Sequence, residues 1–437
     1  MVSSVPVAVA VPSPCEGSVI PQLVSRRAAP RSSLDTEQRT VRRRLARGLG
    51  VVLLAMVVAG CQPPVNRTGP DVATPSPVPP APMVAEPVGP PQRVGLLVPL
   101  TGNAATVGVD LARAAEMAVI ERGNDRLELV PRDTQSTQEG ATQAARQLLE
   151  QENVDVILGP LFGSSAERVG ALGRERGVVV LSFSSQSAIA GDGVFVLGFR
   201  PEEQVERVVR FAMSRGYERM AALAPDDAFG QTAVRALRDT LAARIGGELV
   251  AVQFYARDGS DIAARVEALR RAGGAAGDLP AFDALLLADG GERLRLVARE
   301  LPEHGINPVD VRLLGTMLWP DDPAVLSEPA LRSGWYAGVS DAATRGFRDR
   351  FRRVFGADPH ALAVLGYDGM LIAADAATDR ATATRRITDE RGYQGEAGII
   401  RLLPSGIAEH GLAVFELTPG GPMIVDPAPV RFLQPTS

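Results

Sequence analysis

The sequence predicts an α/β protein in which parallel β-sheets are covered on both faces by helices. Apolar runs of strand length recur from residue 93 onward without polar alternation, the mark of strands buried on both sides. Stretches of helical period fall between most of them, the order that builds crossover connections. Several helix starts also carry readable signals. Taken in order, strands are expected at 94–100, 127–131, 154–158, 178–182, 194–198, 220–224, 249–254, 284–288 and 311–315. Helices are expected at 111–122, 138–152, 165–176, 202–215, 231–244, 261–271, 291–304, 345–355 and 361–378. Ser136 with Glu139, and Ser164 with Glu167, fit the S-x-x-E capping box. Pro201 before Glu202 and Glu203 puts proline and acids in a first helical turn. Near the carboxyl end the pattern switches, and 399–403 and 412–417, flanking Pro404-Ser405-Gly406, read as a strand pair.

Composition narrows the chemistry. The 437 residues hold 46 Lys+Arg, and every one of these cations is an arginine. Without lysine there is no P-loop lysine, no Schiff-base nucleophile and no lysine-activated serine. Cys15 and Cys61 form no CxxC pair, His304, His360 and His410 lie in unrelated segments, and no G-x-S-x-G elbow occurs. No catalytic residue, metal site or cofactor is therefore expected. Residues 1–60 carry eight arginines against Glu16, Asp35 and Glu37, which leaves the remainder at net −10 against −5 for the whole chain. A domain that acidic is a poor partner for nucleic acid.

The first ninety residues read as an address and a tether. Residues 1–40 show no pattern of their own. The arginines of 41–47 and the apolar run 49–59 form a signal sequence, too short to span a bilayer alone. Its position points to a translation start downstream of Met1, near Val41. The run ends in Val58-Ala59-Gly60-Cys61, which resembles the lipobox of bacterial lipoproteins; the resemblance implies cleavage before Cys61 and lipidation of that cysteine. Residues 62–92 include 11 prolines, and a polyproline II tether of that length reaches about 95 Å.

In open parallel sheets, ligands sit beyond the carboxyl ends of the strands, where loops enter helices with free N–H groups. Here those loops are Thr101-Gly102-Asn103-Ala104-Ala105-Thr106-Val107-Gly108, then Gly159-Pro160-Leu161-Phe162-Gly163-Ser164-Ser165-Ala166, then Phe183-Ser184-Ser185-Gln186-Ser187. Each alone is explained by turns and caps. Three in succession point to a crevice for a carboxylate or neutral polar solute.

At these loops the chain resembles the leucine-binding type of periplasmic solute-binding protein. The likeness rests on Val98-Pro99-Leu100-Thr101-Gly102 with Gly108, Asp133-Thr134, Gly159-Pro160 with Ser164-Ser165, Ser182-Phe183-Ser184-Ser185, Asp226-Asp227-Ala228-Phe229-Gly230-Gln231, and Gly395-Glu396-Ala397-Gly398-Ile399 through Gly406. It covers most of 93–426. It implies the type I periplasmic-binding-protein fold: two Rossmann-like lobes joined by three crossings, with a cleft between them. The first lobe is expected at about 93–198 and 342–410, the second at about 199–341 and 411–437. Carried over, the carboxylate-binding elements fall on Ser164, Ser165, Ser184 and Gln186, with Thr101 beside them. The usual acidic partner of an ammonium meets Gly315-Thr316-Met317, so Asp226, Asp289 or Asp321 would have to replace it, and the aromatic clamps meet Val107 and Phe229.

Two functions follow from the resemblance. One is a non-catalytic lipoprotein that binds a small polar solute, such as an amino acid, for an ABC-type importer. The other is a penicillin-binding-protein activator that stimulates a peptidoglycan synthase by contact. The latter branch is similar at Leu96 to Gly102, Ile157-Leu158-Gly159-Pro160-Leu161 and Phe199-Arg200-Pro201-Glu202-Glu203. Both imply a periplasmic location with a lipid anchor, in the outer membrane rather than the inner.

Overall fold

The computed structural model describes residues 89–272 and 279–432. The signal, Cys61 and nearly all of the proline-rich segment lie outside the described residues. A first sheet forms from β1 (Gln92–Val98), β2 (Leu127–Asp133), β3 (Val156–Leu158), β4 (Val179–Ser182) and β5 (Val194–Val196), all parallel, in the order β2-β1-β3-β4-β5. Three helices cross between its strands: α1 (Ala105–Arg122), α2 (Gln138–Glu150) and α3 (Gly163–Arg176). Val94, Leu96 and Val98 lie in a different buried cluster from Leu97 and Ile157, so both faces are covered, as the uninterrupted apolar runs require.

After β5 the chain enters a second sheet through α4 (Pro201–Ser214). It continues through β6 (Arg219–Pro225), α5 (Ala228–Ala242), β7 (Glu248–Tyr255), α6 (Ile262–Ala272), β8 (Ala284–Leu287), α7 (Gly291–Glu303), β9 (Arg312–Gly315), the short α8 (Pro323–Leu326) and β10 (Trp335–Gly338). It then returns to the first sheet as α9 (Asp341–Phe355) and α10 (Ala363–Ala376). Helix α10 packs along α1, where Gly366 permits close approach: a Cβ there would lie 2.3 Å from the Leu111 carbonyl oxygen. Beyond α11 (Ala383–Ile387), a small antiparallel sheet joins β11 (Tyr393–Gly395), β12 (Gly398–Leu402) and β13 (Ala408–His410). The chain finally rejoins the second sheet as β14 (Ala413–Thr418) and β15 (Gly421–Asp426), giving the order β15-β14-β10-β9-β8-β6-β7 with β14 antiparallel to both neighbours.

Three expectations need correction. The strand at 399–403 does not pair with 412–417. β12 pairs instead with β13 across a turn that Gly406 makes at φ 86°, while β14 joins a different sheet. Ser136 is not the cap of α2. It sits at φ 56° one residue too early, and Thr137 accepts the Gly140 N–H instead. Ser164 is not a cap either: α3 starts at Gly163, so Ser164 already lies inside the first turn. The third start holds, with Pro201 first in α4 and the Glu203 carboxylate accepting the Arg200 N–H at 3.1 Å.

Candidate functional site

In each sheet the strand order reverses beside the first strand, and the loops leaving the strands at that point face an open crevice. In the first sheet these are the loops after β1 and β3, joined by the loop after β4. Ser182 sets the last one: its hydroxyl donates to the Pro160 carbonyl at 2.9 Å and accepts from Ser184 N–H at 3.1 Å. The Ser184 hydroxyl then accepts the Gln186 N–H at 3.1 Å, which makes the 4% exposed Ser184 a support for Gln186. Gln186 crosses to the start of α3. Glycine leaves room for it, since a Cβ on Gly163 would fall 1.8 Å from the Gln186 side-chain oxygen and displace it.

These residues enclose a cavity of about 480 Å³ lined by Asn103, Ser136, Gly163, Ser164, Ser165, Glu167, Gln186 and Ile189 among others. Ser164 is exposed toward it. Ser165 is only 2% exposed overall and borders the cavity, where its hydroxyl has no hydrogen-bond partner among the described residues and is not sealed from solvent. The first intrahelical bond of α3 runs from Ala166 N–H to the Phe162 carbonyl, which leaves the N–H groups of residues 163–165 in the first turn without that partner. A ring of donors with the positive end of a helix dipole behind it suits an anionic group. Thr101 is exposed nearby with its hydroxyl committed: it donates to Asp133 at 2.6 Å, and Asp133 also accepts from the N–H groups of Leu100, Thr101 and Gln135. Partial burial raises the Asp133 pKa, but the Thr101 hydroxyl and these amides outweigh it and hold the carboxyl below its ordinary value. Thr101 therefore shapes the loop that Ser136 completes by donating to the Thr101 carbonyl at 2.8 Å.

The second sheet gives a different picture. Asp289 lies just beyond the end of β8, almost fully buried and already satisfied. Arg293 grips it with two bonds of 2.7 and 2.8 Å, Tyr255 donates at 2.5 Å, and Gly290 N–H donates at 2.8 Å. Burial and the Asp289 charge push the Tyr255 hydroxyl far above its usual range, while the bond to Asp289 raises the Arg293 pKa. Asp226 is exposed and accepts from the Gln231 side chain at 2.9 Å. Phe229 is half-buried against the core. Met317 borders a separate cavity of about 700 Å³ shared with Asp321, Tyr336, Ser340, His360 and Ile424. The structure thus brings Ser164, Ser165 and Gln186 together around one cavity, with Ser184 behind them. It leaves Asp226, Phe229, Asp289 and Met317 away from that cavity's lining.

Sequence reasoning missed Glu167, Ser136 and Ile189 as lining residues, and placed Asn103 and Phe162 in the crevice loops without naming them as ligand-binding residues. The only available signal for Glu167 was its spacing of three from Ser164, which had suggested a cap. Among the described residues, no group of three or more His, Cys, Asp or Glu side chains could hold a metal ion.

A family model described as periplasmic binding protein matches residues 91–422. Solved structures share the fold. A putative branched-chain amino acid ABC transporter protein from Rhodospirillum rubrum is 19% identical with a TM-score of 0.66, over 77% of this chain and 100% of that one. A leucine binding protein from Thermotoga maritima is 19% identical with a TM-score of 0.57, over 77% and 98%. A solute binding protein of an ABC transporter from Rhodopseudomonas palustris, in complex with 3,4-dihydroxybenzoic acid, is 19% identical with a TM-score of 0.58, over 78% and 96%. An uncharacterized protein of Rickettsia prowazekii is 22% identical over 162 residues, and the match spans 43% of that relative and 37% of this chain.

Proposed function

The chain belongs to the periplasmic binding protein family, and from that membership we propose that it works in the periplasm as a non-catalytic receptor for a small, carboxylate-bearing solute delivered to an ABC permease. One observation carries the reading: the cavity at the amino end of α3, where the first-turn N–H groups and the Ser164 and Ser165 side chains stand beside Gln186. The N–H groups of a first helical turn have no intrahelical acceptor and favour an anion in front of them. A ligand carboxylate would accept from these N–H groups and from the serine hydroxyls. The solutes named for the Thermotoga and Rhodopseudomonas proteins, leucine and 3,4-dihydroxybenzoic acid, each carry a carboxylate, and on this reading so does the solute here. Anchoring through a lipidated Cys61 belongs to the same proposal, with the proline-rich segment as its tether.

The test is a thermal-shift panel on the purified protein with amino acids, aliphatic acids and aromatic acids. A ligand that binds only the folded state stabilises by RT ln(1 + [L]/Kd), about 2.7 kcal/mol at a hundredfold excess over Kd. A clear rise in Tm with one class of acid is the expected result. A flat panel removes the receptor reading and leaves the alternative, activation of a penicillin-binding protein by contact, as the one to pursue by affinity capture.

A further inference from the structure

The segment Phe199-Arg200-Pro201-Glu202-Glu203 holds two adjacent acids, and the structure gives them different work. Glu203 closes the first turn of α4 by accepting the Arg200 N–H. Glu202 accepts no backbone N–H. Its Oε1 accepts from the Ser187 hydroxyl at 2.7 Å, and its Oε2 is buried with no partner among the described residues. Arg210 and Arg235 border the same groove of about 560 Å³, yet Arg210 pairs with Glu206 and no guanidinium among the described residues takes Glu202. A carboxylate oxygen withdrawn from water without a partner costs free energy. The stability of α4 therefore does not account for the placement of Glu202.

Ser187 supplies the reason. It opens the short turn Ser187–Ile189 in the loop after β4, directly after Gln186, whose side chain lies over Gly163 at the cavity of the first sheet. The other hydrogen bonds of residues 185–190 stay within that loop: Gln186 N–H donates to the Ser184 hydroxyl, and the Ile189 and Ala190 N–H groups donate to the Gln186 and Ser187 carbonyls. Among the described residues, only the Ser187–Glu202 bond ties this stretch to another element. That element belongs to the second sheet, since α4 packs on β9, β10, β14 and α5. Building on the receptor reading above, we propose that Glu202 is a positioning residue: through Ser187 it holds Gln186 at the cavity of the first sheet from a helix of the second. The setting of Gln186 then follows the setting of α4, and solute affinity is coupled to the placing of the two sheets through one bond.

Hydrogen exchange on the purified, ligand-free protein reads the tether directly, with Glu202→Gln, Glu202→Ala and Ser187→Ala beside wild type. Glu202→Ala and Ser187→Ala should each speed exchange of the Gln186, Ile189 and Ala190 amides about tenfold, the scale of a lost hydrogen bond to a charged acceptor, and leave the amides of β3 and β4 unchanged. Glu202→Gln keeps an acceptor for Ser187 and should lie closer to wild type than Glu202→Ala does. Adding Glu202→Ala to Ser187→Ala should change nothing more. A further increase in that double variant, or unaltered exchange in either single one, overturns the tether. Ser187→Ala is the milder change and keeps the test open if Glu202→Ala does not fold. Titration of the acids of the thermal panel, leucine and 3,4-dihydroxybenzoate among them, then tests the positioning role. An acid that binds wild type should bind Glu202→Ala and Ser187→Ala about tenfold more weakly, by the same factor in both. Equal affinity in variant and wild type overturns the role even where the exchange result stands. If no acid binds wild type, the receptor reading falls and the positioning role with it, while the exchange data still decide the tether.

Discussion

Asp368 makes the fold of this protein pH-dependent in a direction opposite to ordinary acid denaturation. It lies on α10, is 3% exposed, and accepts N–H bonds from Glu396 at 2.7 Å and Ala397 at 3.0 Å at the turn between β11 and β12. Burial raises its pKa, the two amides lower it, and the nearby Glu396 charge raises it again. The result is a carboxyl at about 6 where 3.8 is ordinary. The folded state therefore holds a proton that the unfolded chain releases between about pH 4 and 6. Stability contributed by this group rises as pH falls through 6 and levels off below 4. Two pK units correspond to about 3 kcal/mol at 1.36 kcal/mol each. Asp368→Asn cannot titrate, so its difference from wild type in urea unfolding isolates the group from every other carboxylate. Between pH 7.5 and 4 the wild-type advantage should grow by up to about 3 kcal/mol. A difference that stays flat, or that shrinks toward low pH, refutes the reasoning.

Two further substitutions probe the frame of the site. Gly163→Ala forces the flexible end of Gln186 out of the cavity, so solute binding by titration should weaken about tenfold while unfolding free energy changes by less than about 1 kcal/mol; an unaltered affinity would remove Gln186 from the site. Trp319 is fully buried, stacks over Gly315 and Gly334, and donates to the Leu287 carbonyl at 3.3 Å. Trp319→Ala should cost about 3–5 kcal/mol in urea denaturation, and a loss below about 1 kcal/mol would mean that the loop after β9 is not packed as described.

The strands buried on both faces were legible because continuous Val, Ile and Leu leave no other reading. β10 was missed because its four residues mix two aromatics with Ala337 and Gly338. β15 was missed because it is an edge strand with Pro422 to Ile424 exposed, so no buried stripe marks it. The misread carboxyl-terminal pair shows a further limit. Periodicity identifies a strand and says nothing of which sheet receives it, and Gly411, between β13 and β14, is where the chain changes sheets. For the site, the loops were legible and the directions of their side chains were not. Ser164 and Ser165 stand together in sequence, yet one faces solvent and the other is buried. The loss of Asp289 as an anchor did leave a trace, since Arg293 stands four residues later, the spacing of a helical ion pair.

Two of the three strands of chain that run between the sheets are bonded to each other. The Arg200 guanidinium donates twice to the Ala408 carbonyl, at 3.4 and 3.3 Å. Glu203 accepts from the His410 N–H and lies 2.9 Å from its ring nitrogen, and Arg207 donates to the Leu412 carbonyl at 2.9 Å. Any swing of one sheet against the other must therefore flex a two-ply ribbon. The ribbon's resistance is set by two guanidiniums, a carboxylate and an imidazole, so substitutions there would alter how stiffly the molecule opens without touching a single residue of the cavity.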